Sequence, residues 1–356
     1  MNLKTKLKNL LSTELSTKQK RRIPAWIIAL VAIVVIAAFV IFWAPRIFHA
    51  RLKPEIRQEE RRRGALIYTE NTAVVRVPQT AVYPLADNTR ERLCSLIFNE
   101  PVEVLDKSLG KYWLVKLPEG LEGYVASVDL DTDTEAIEPE LAYYKAVVLA
   151  REKRLYSHAR RGELKAVVPL GTVLFADYRS QELLRVKLAG GDNAWVSTED
   201  LLILEPDQKI TVPEAEQVSR FLSSLMAFYG APRLPAQMTI NGTDMAGAVS
   251  IAARLNGLEL PRTIEAQARV GERVELARDQ ESGLVNLNDL KAGDLIYFAH
   301  PESPDKVFDL ACVMEDSLVL MNQVNSSTIG IWDLANDEER HKQIAFVIRH
   351  FPLKEE

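Results

Sequence analysis

Five residues, Thr243-Asp244-Met245-Ala246-Gly247, sit where a chain could do chemistry. They open a helical stretch that runs from Ala246 to Asn256 and stops at Gly257. A helix N-terminus stabilises negative charge, so an ionisable nucleophile placed there is activated. The residue at that place is Met245, which has no proton to lose and cannot become a thiolate. Other candidates for acid–base or nucleophilic work are scattered. The five histidines are His49, His158, His300, His341 and His350. Of these only His300, just past a strand ending at Ala299, is placed to approach a site near residue 245, and it reads as an exposed loop residue. Asp244 and Asp309 form a second candidate, an acid pair for another kind of hydrolysis. The two cysteines, Cys94 and Cys312, lie far apart and read as buried small hydrophobes. No glycine-rich phosphate loop and no cluster of metal-ligand spacing is present, so no cofactor and no metal are expected.

The elements that must position these residues fall into three blocks after an unusual beginning. Residues 1–63 carry a net charge of +10, while the whole 356-residue chain stands at −5, so the body is acidic. The basic part has no aromatic interleaving, so nucleic acid is not an expected partner. Ile23 to Trp43 contains no charge and at ~1.5 Å per residue would span about 30 Å, one bilayer core. Trp26 and Trp43 stand near its ends, as interfacial aromatics do. The expectation is a basic cytoplasmic tail (1–22), an uncleaved transmembrane helix (23–44) and a charged stalk (45–65). This predicts a single-pass membrane protein, held in the lipid bilayer through Ile23 to Trp43, with an extracytoplasmic body.

From residue 66 short β-branched strands alternate with turn residues. They include Pro101 to Leu105, Tyr112 to Leu117 and Glu122 to Val125. The pattern repeats further on. Leu184-Arg185-Val186-Lys187-Leu188 parallels Tyr112 to Leu117, and Asn193-Ala194-Trp195-Val196 parallels Glu122-Gly123-Tyr124-Val125. Two small barrels are expected, over 66–131 and 141–205. Beyond them Val218, Phe221, Leu222, Leu225, Met226 and Tyr229 recur at helical spacing. Strands follow at Asp294 to Ala299, Phe308 to Glu315, Leu318 to Asn322 and Ile344 to Arg349. The predicted class is α+β: one transmembrane helix, two barrels and an α+β domain over 207–353.

The third block resembles the NlpC family of bacterial cell-wall cysteine peptidases, which have a papain-like fold and cut peptidoglycan stem peptides. Leu260-Pro261-Arg262-Thr263 with Gln267 and Gly271 is similar to that family's segment after the nucleophile helix. Leu290-Lys291-Ala292-Gly293-Asp294-Leu295-Ile296-Tyr297-Phe298 is similar to its Leu-x-Pro-Gly-Asp-Leu strand. The two barrels resemble bacterial SH3-like modules, and the whole architecture resembles gamma-D-glutamyl-L-diamino acid endopeptidases. The resemblance assigns the nucleophile to Met245, the base histidine to Asp309, and the orienting polar group to Asn322 or Gln323. It assigns the capture of the substrate's free amine to Asp244, beside Ala246 where the family has serine. Gly230-Ala231-Pro232 survives from the loop before the nucleophile, but Arg233 replaces its tyrosine. The resemblance therefore implies a membrane-anchored peptidase homologue without catalysis. It would bind a peptidoglycan peptide or an envelope protein, with Asp244, Arg233, Arg262 and Gln323 as ligand-binding candidates. Two other readings stay open: a hydrolase of cell-wall peptides that uses no cysteine, and a structural subunit of a membrane complex.

Overall fold

The computed structural model of the chain describes residues 68, 71–160, 162–300, 302–323 and 326–351. The first module holds β1 (Thr72–Val75), β2 (Gln79–Val82), β3 (Cys94–Ile97), β4 (Pro101–Asp106), β5 (Tyr112–Lys116), β6 (Glu122–Ala126) and β7 (Leu130–Asp131). Its main sheet runs β6-β5-β4-β1-β7, and β2 and β3 form a separate hairpin. Alternation explains these strands. In β6, Gly123 and Val125 turn inward while Glu122 turns to solvent. Gly123 is required because a Cβ there would come within 2.5 Å of Val82 Cγ1.

The second module follows with β8 (Tyr144–Val148), β9 (Glu152–Tyr156), β10 (Leu164–Pro169), β11 (Val173–Arg179), β12 (Leu183–Lys187), β13 (Asn193–Ser197) and β14 (Leu201–Leu204). All seven join one antiparallel sheet in the order β10-β9-β13-β12-β11-β8-β14. The third segment contains α1 (Gln217–Met226), the short hairpin β15 (Met238–Thr239) and β16 (Gly242–Thr243), α2 (Met245–Leu255) and α3 (Ile264–Gln267). Next come β17 (Glu272–Val274), β18 (Leu295–His300), β19 (Ser303–Glu315), β20 (Leu318–Asn322), β21 (Ile329–Asp333), α4 (Glu338–Lys342) and β22 (Ile344–Arg349). Its sheet runs β17-β22-β18-β19-β20-β21.

The expected α+β class with a transmembrane helix is corrected by this arrangement. The described body is predominantly β, because two of its three parts are built from strands and its α-helices are only 4 to 11 residues long. Among the described residues no helix is long and apolar enough to cross a membrane. The segment from Ile23 to Trp43 lies outside the described residues.

The three parts pack into one body around α2. This helix is buried along almost its whole length, with Arg254 as its one partly exposed residue. Its alanines, Ala246, Ala248, Ala252 and Ala253, let neighbouring elements approach closely. A single apolar cluster joins Ile97 of the first module and Val147 and Leu170 of the second to Phe221, Met245, Ile251 and Leu295 of the third. At Gly171, where φ is +83°, the turn of the second module comes so close that a Cβ would lie 3.1 Å from Ile251 Cγ2.

Candidate functional site

Asp244 fixes the start of α2. Its Oδ1 accepts from the Gly247 N–H at 2.8 Å, an N-cap bond, and its Oδ2 accepts from the Ala236 N–H at 2.7 Å. The second bond helps hold Ala236 at φ +58°, a costly conformation for a residue with a Cβ. Ser95 Oγ of the first module donates to the Ala236 carbonyl at 2.7 Å, so this strained turn is pinned from two sides. Gly247 is obligatory here, since a Cβ would meet the Gln237 carbonyl oxygen at 2.2 Å. Burial pushes the Asp244 carboxyl up, although its two N–H donors oppose the rise; nearby Asp309 adds to it and Arg233 opposes it.

Met245 is 1% exposed and belongs to the apolar cluster around α2. Across the cleft, Asp309 on β19 is also buried. Both of its oxygens are occupied. Oδ1 accepts from its neighbour's amide, Leu310 N–H, at 2.9 Å and from Asn322 Nδ2 at 2.9 Å, and Oδ2 accepts from Arg340 Nη2 in a close ion pair. The guanidinium of Arg340 also lies 4.4 Å from the Phe298 ring centre and 5.3 Å from that of Phe308. The position assigned to the base thus holds a carboxylate locked to a buried cation.

Asp244, Met245, Asp309 and Asn322 line a cavity of about 240 Å³ with Arg233, Thr263, Glu265 and Phe308 on its walls. Among the described residues that line it there is no cysteine, serine, lysine or histidine. Arg233 is exposed and makes no ion pair with the described residues. His300 stacks on the rim residue Phe308 with ring centres 4.6 Å apart and is not part of the lining.

Of the sequence candidates, Asp244, Met245, Asp309, Asn322, Arg233 and Arg262 meet at this cavity, and Gln323 does not. Gln323 lies over β21, where its Nε2 would be 2.3 Å from a Cβ on Gly330. Arg262 reaches the cavity wall, but its charge is spent elsewhere. Its Nη1 donates to Glu100 Oε2 at 2.8 Å and to the Ser95 carbonyl at 3.2 Å, and its Nε and Nη2 engage Glu119. Arg254 Nη2 approaches Glu100 Oε1 at 2.5 Å. Arg262 is therefore a strut between the third domain and the first module.

The family-like motifs around the site are structural. Gln267, fully buried, donates from Nε2 to the carbonyls of Ala246 at 2.8 Å and Pro261 at 2.6 Å, and so ties the segment after α2 to the helix start. Asp294 receives two bonds of 2.7 Å from Arg349 and caps the turn at Lys291. Sequence reasoning missed Arg340, Glu100, Glu119 and Arg254. Arg340 sits in a charged run that reads as a solvated helix, and the other three act only through long-range contacts. Both cysteines are free and buried, and burial pushes the Cys94 thiol up to about 12. His341 is buried, its Nε2 bonds to the Val285 carbonyl at 2.8 Å, and it does not line the cleft.

No family model matches the sequence. A gamma-D-glutamyl-L-lysine dipeptidyl-peptidase from Bacillus cereus is 28% identical over 132 residues, which is 37% of this chain and 35% of that protein. The match thus spans about a third of the curated relative's length. An NlpC/P60 family protein from Bacillus cereus has a similar structure, with a TM-score of 0.67 at 19% identity, over 79% of this chain and 100% of the other. An NlpC/P60 endopeptidase from Photobacterium damselae subsp. piscicida has a TM-score of 0.53 at 13% identity, over 78% of this chain and 72% of the other. The chain has the fold of the NlpC/P60 family and is a distant homologue of a gamma-D-glutamyl-L-lysine peptidase.

Proposed function

We propose that this protein binds a short peptidoglycan stem peptide in the cleft above Met245 and does not cleave it. Kinship with cell-wall peptidases supports a peptidoglycan-related role. The observation that carries the non-hydrolytic reading is the pair of residues at the positions that the sequence resemblance assigns to nucleophile and base. A buried thioether occupies the first, and a carboxylate tied to Arg340 and Asn322 occupies the second. Acyl transfer on this scaffold needs a thiolate and a base free to take its proton.

The cleft's dimensions and charge define what fits. At about 240 Å³ it lies below the ~300–1,000 Å³ typical of drug-sized ligands, so it accommodates one or two residues of a peptide. Its uncommitted charges are the exposed Arg233 and the exposed Glu265. A fragment such as L-Ala-D-Glu, with one ammonium and two carboxylates, matches both, a carboxylate toward Arg233 and the amine toward Glu265. At about 0.3 kcal/mol for each of about 15 heavy atoms, the fragment binds at roughly 0.5 mM.

The test is calorimetric titration of the full chain with L-Ala-D-Glu and L-Ala-gamma-D-Glu-L-Lys, followed by mass spectrometry of the mixtures. Binding of intact peptide that weakens in Arg233→Ala supports the reading. Cleavage products refute its non-hydrolytic half, and failure of both peptides to bind at millimolar concentration refutes the rest.

A further inference from the structure

A second cavity, of about 540 Å³, opens where the first module, the linker at Ile137, the second module and the third domain meet. It is more than twice the volume of the cleft above Met245 and falls within the usual range of small-molecule sites. Arg262 is the one lining residue it shares with the peptide cleft, and the proposed peptide contacts there do not involve it. One side is apolar, built from Phe98, Ile137, Phe175, Leu260 and Val270. The other side carries the carboxylates of Glu100, Glu119 and Glu259 and the guanidiniums of Arg254 and Arg262.

The balance of these groups decides the ligand. Both guanidiniums are committed, Arg254 to Glu100 and Arg262 to Glu100 and Glu119. Glu259 is exposed and makes no ion pair with the described residues. Asn99, 5% exposed and part of the same wall, donates its Nδ2 to the Val173 carbonyl at 3.1 Å, while its buried Oδ1 has no hydrogen-bond partner among the described residues. The surplus at this cavity is therefore one negative charge, that of Glu259, beside an apolar wall.

We propose that this junction cavity is a binding site for an amphipathic cation, an ammonium or guanidinium carried on an aliphatic or aromatic body. The apolar body lies against Phe98, Phe175 and Leu260, and the charged head turns toward Glu259. Because the walls come from all three parts of the body, an occupant also fixes the modules against one another. The acidic character of the body favours cations at long range as well.

The experiment titrates the full chain with 4-phenylbutylammonium chloride by calorimetry, beside 4-phenylbutanol and 4-phenylbutyrate as neutral and anionic partners of the same shape. The expected result is saturable binding of the ammonium, with the alcohol and the carboxylate weaker by about tenfold or more. Val270→Trp, at a half-exposed position of the rim, blocks the cavity and abolishes that binding. Glu259→Lys weakens it by about threefold or more. Circular dichroism melts confirm that both surface variants fold. Absence of saturable ammonium binding at millimolar concentration, equal affinity for the three probes, or full affinity in Val270→Trp overturns the proposal. None of these outcomes touches the peptide cleft, whose occupancy the dipeptide titration reads separately.

Discussion

Replacing Glu100 with glutamine tests the strut that joins the first module to the third domain. Glu100 is 8% exposed and accepts from the Ile97 N–H at 2.9 Å, while Arg262 and Arg254 bind its two oxygens. Burial alone would push this carboxyl up, but the two guanidiniums more than offset it and hold the group at about 2, against an ordinary value of 4.5. A carboxyl depressed in the folded state stabilises the fold above its unfolded value and loses that contribution as the pH falls. The gap between 4.5 and about 2, at about 1.36 kcal/mol per pKa unit, amounts to about 3 kcal/mol at neutral pH. The Glu100→Gln protein should therefore be about 3 kcal/mol less stable at pH 7 in urea titrations followed by circular dichroism. The difference should begin to shrink below about pH 4.5, and by about pH 3 more than half of it should be gone, because the native carboxyl is then being protonated on unfolding. A difference that stays constant from pH 7 to about pH 3, or one below about 1 kcal/mol at pH 7, refutes the assignment of this cluster as a stabilising strut.

Three further outcomes follow from the site. Arg340→Met leaves Asp309 buried without its cation and should cost about 3–5 kcal/mol in urea denaturation, whereas Asp309→Asn with Arg340→Met should recover most of the loss. Met245→Cys places a thiol at the head of α2 but leaves Asp309 tied to Arg340, so mass spectrometry should find no stem-peptide product above background; a product would show that Asp309 is free to act. Cys94, whose thiol is held up at about 12 by burial, should not react with a disulfide-exchange reagent at pH 8 until the chain is unfolded.

Local pattern made much of the scaffold legible. The strands expected at Leu318 to Asn322 and Ile344 to Arg349 coincide with β20 and β22, and the helical spacing from Val218 to Leu225 falls within α1. The helical stretch expected from Ala246 to Asn256 nearly coincides with α2, whose start is fixed by Asp244 accepting from the Gly247 N–H. The α+β class failed for a different reason. That expectation rests on an apolar segment and a few helices, while the strand-rich modules dominate the described body. The choice between Asn322 and Gln323 turned on a single residue of register. Neighbouring side chains at a strand end face opposite ways, so Asn322 meets Asp309 and Gln323 covers Gly330. Nor could spacing show that Arg262 is occupied, since its partners Glu119 and Glu100 lie 143 and 162 residues away.

Arg340 shows how a charged run can mislead. In Asp337-Glu338-Glu339-Arg340-His341-Lys342 every residue is polar, and the run reads as a solvated helix face. Yet Arg340 and His341 are buried while Glu338 and Lys342 pair in solvent. The buried guanidinium is explained by Asp309, and Asp309 in turn needs it, because a lone buried carboxylate would cost several kcal/mol. Met245 is explained in the same way by the apolar cluster that surrounds it. Each of these departures from the peptidase pattern is thus satisfied inside the fold and asks for no ligand. Arg233 is the exception. It is exposed at the cleft, forms no ion pair with the described residues, and acts on buried Asp244 only across space. A cation left without an ion-pair partner at the mouth of a cavity is the place to look for an external anion, which is why the peptide proposal stands or falls on Arg233 rather than on Met245 or Asp309.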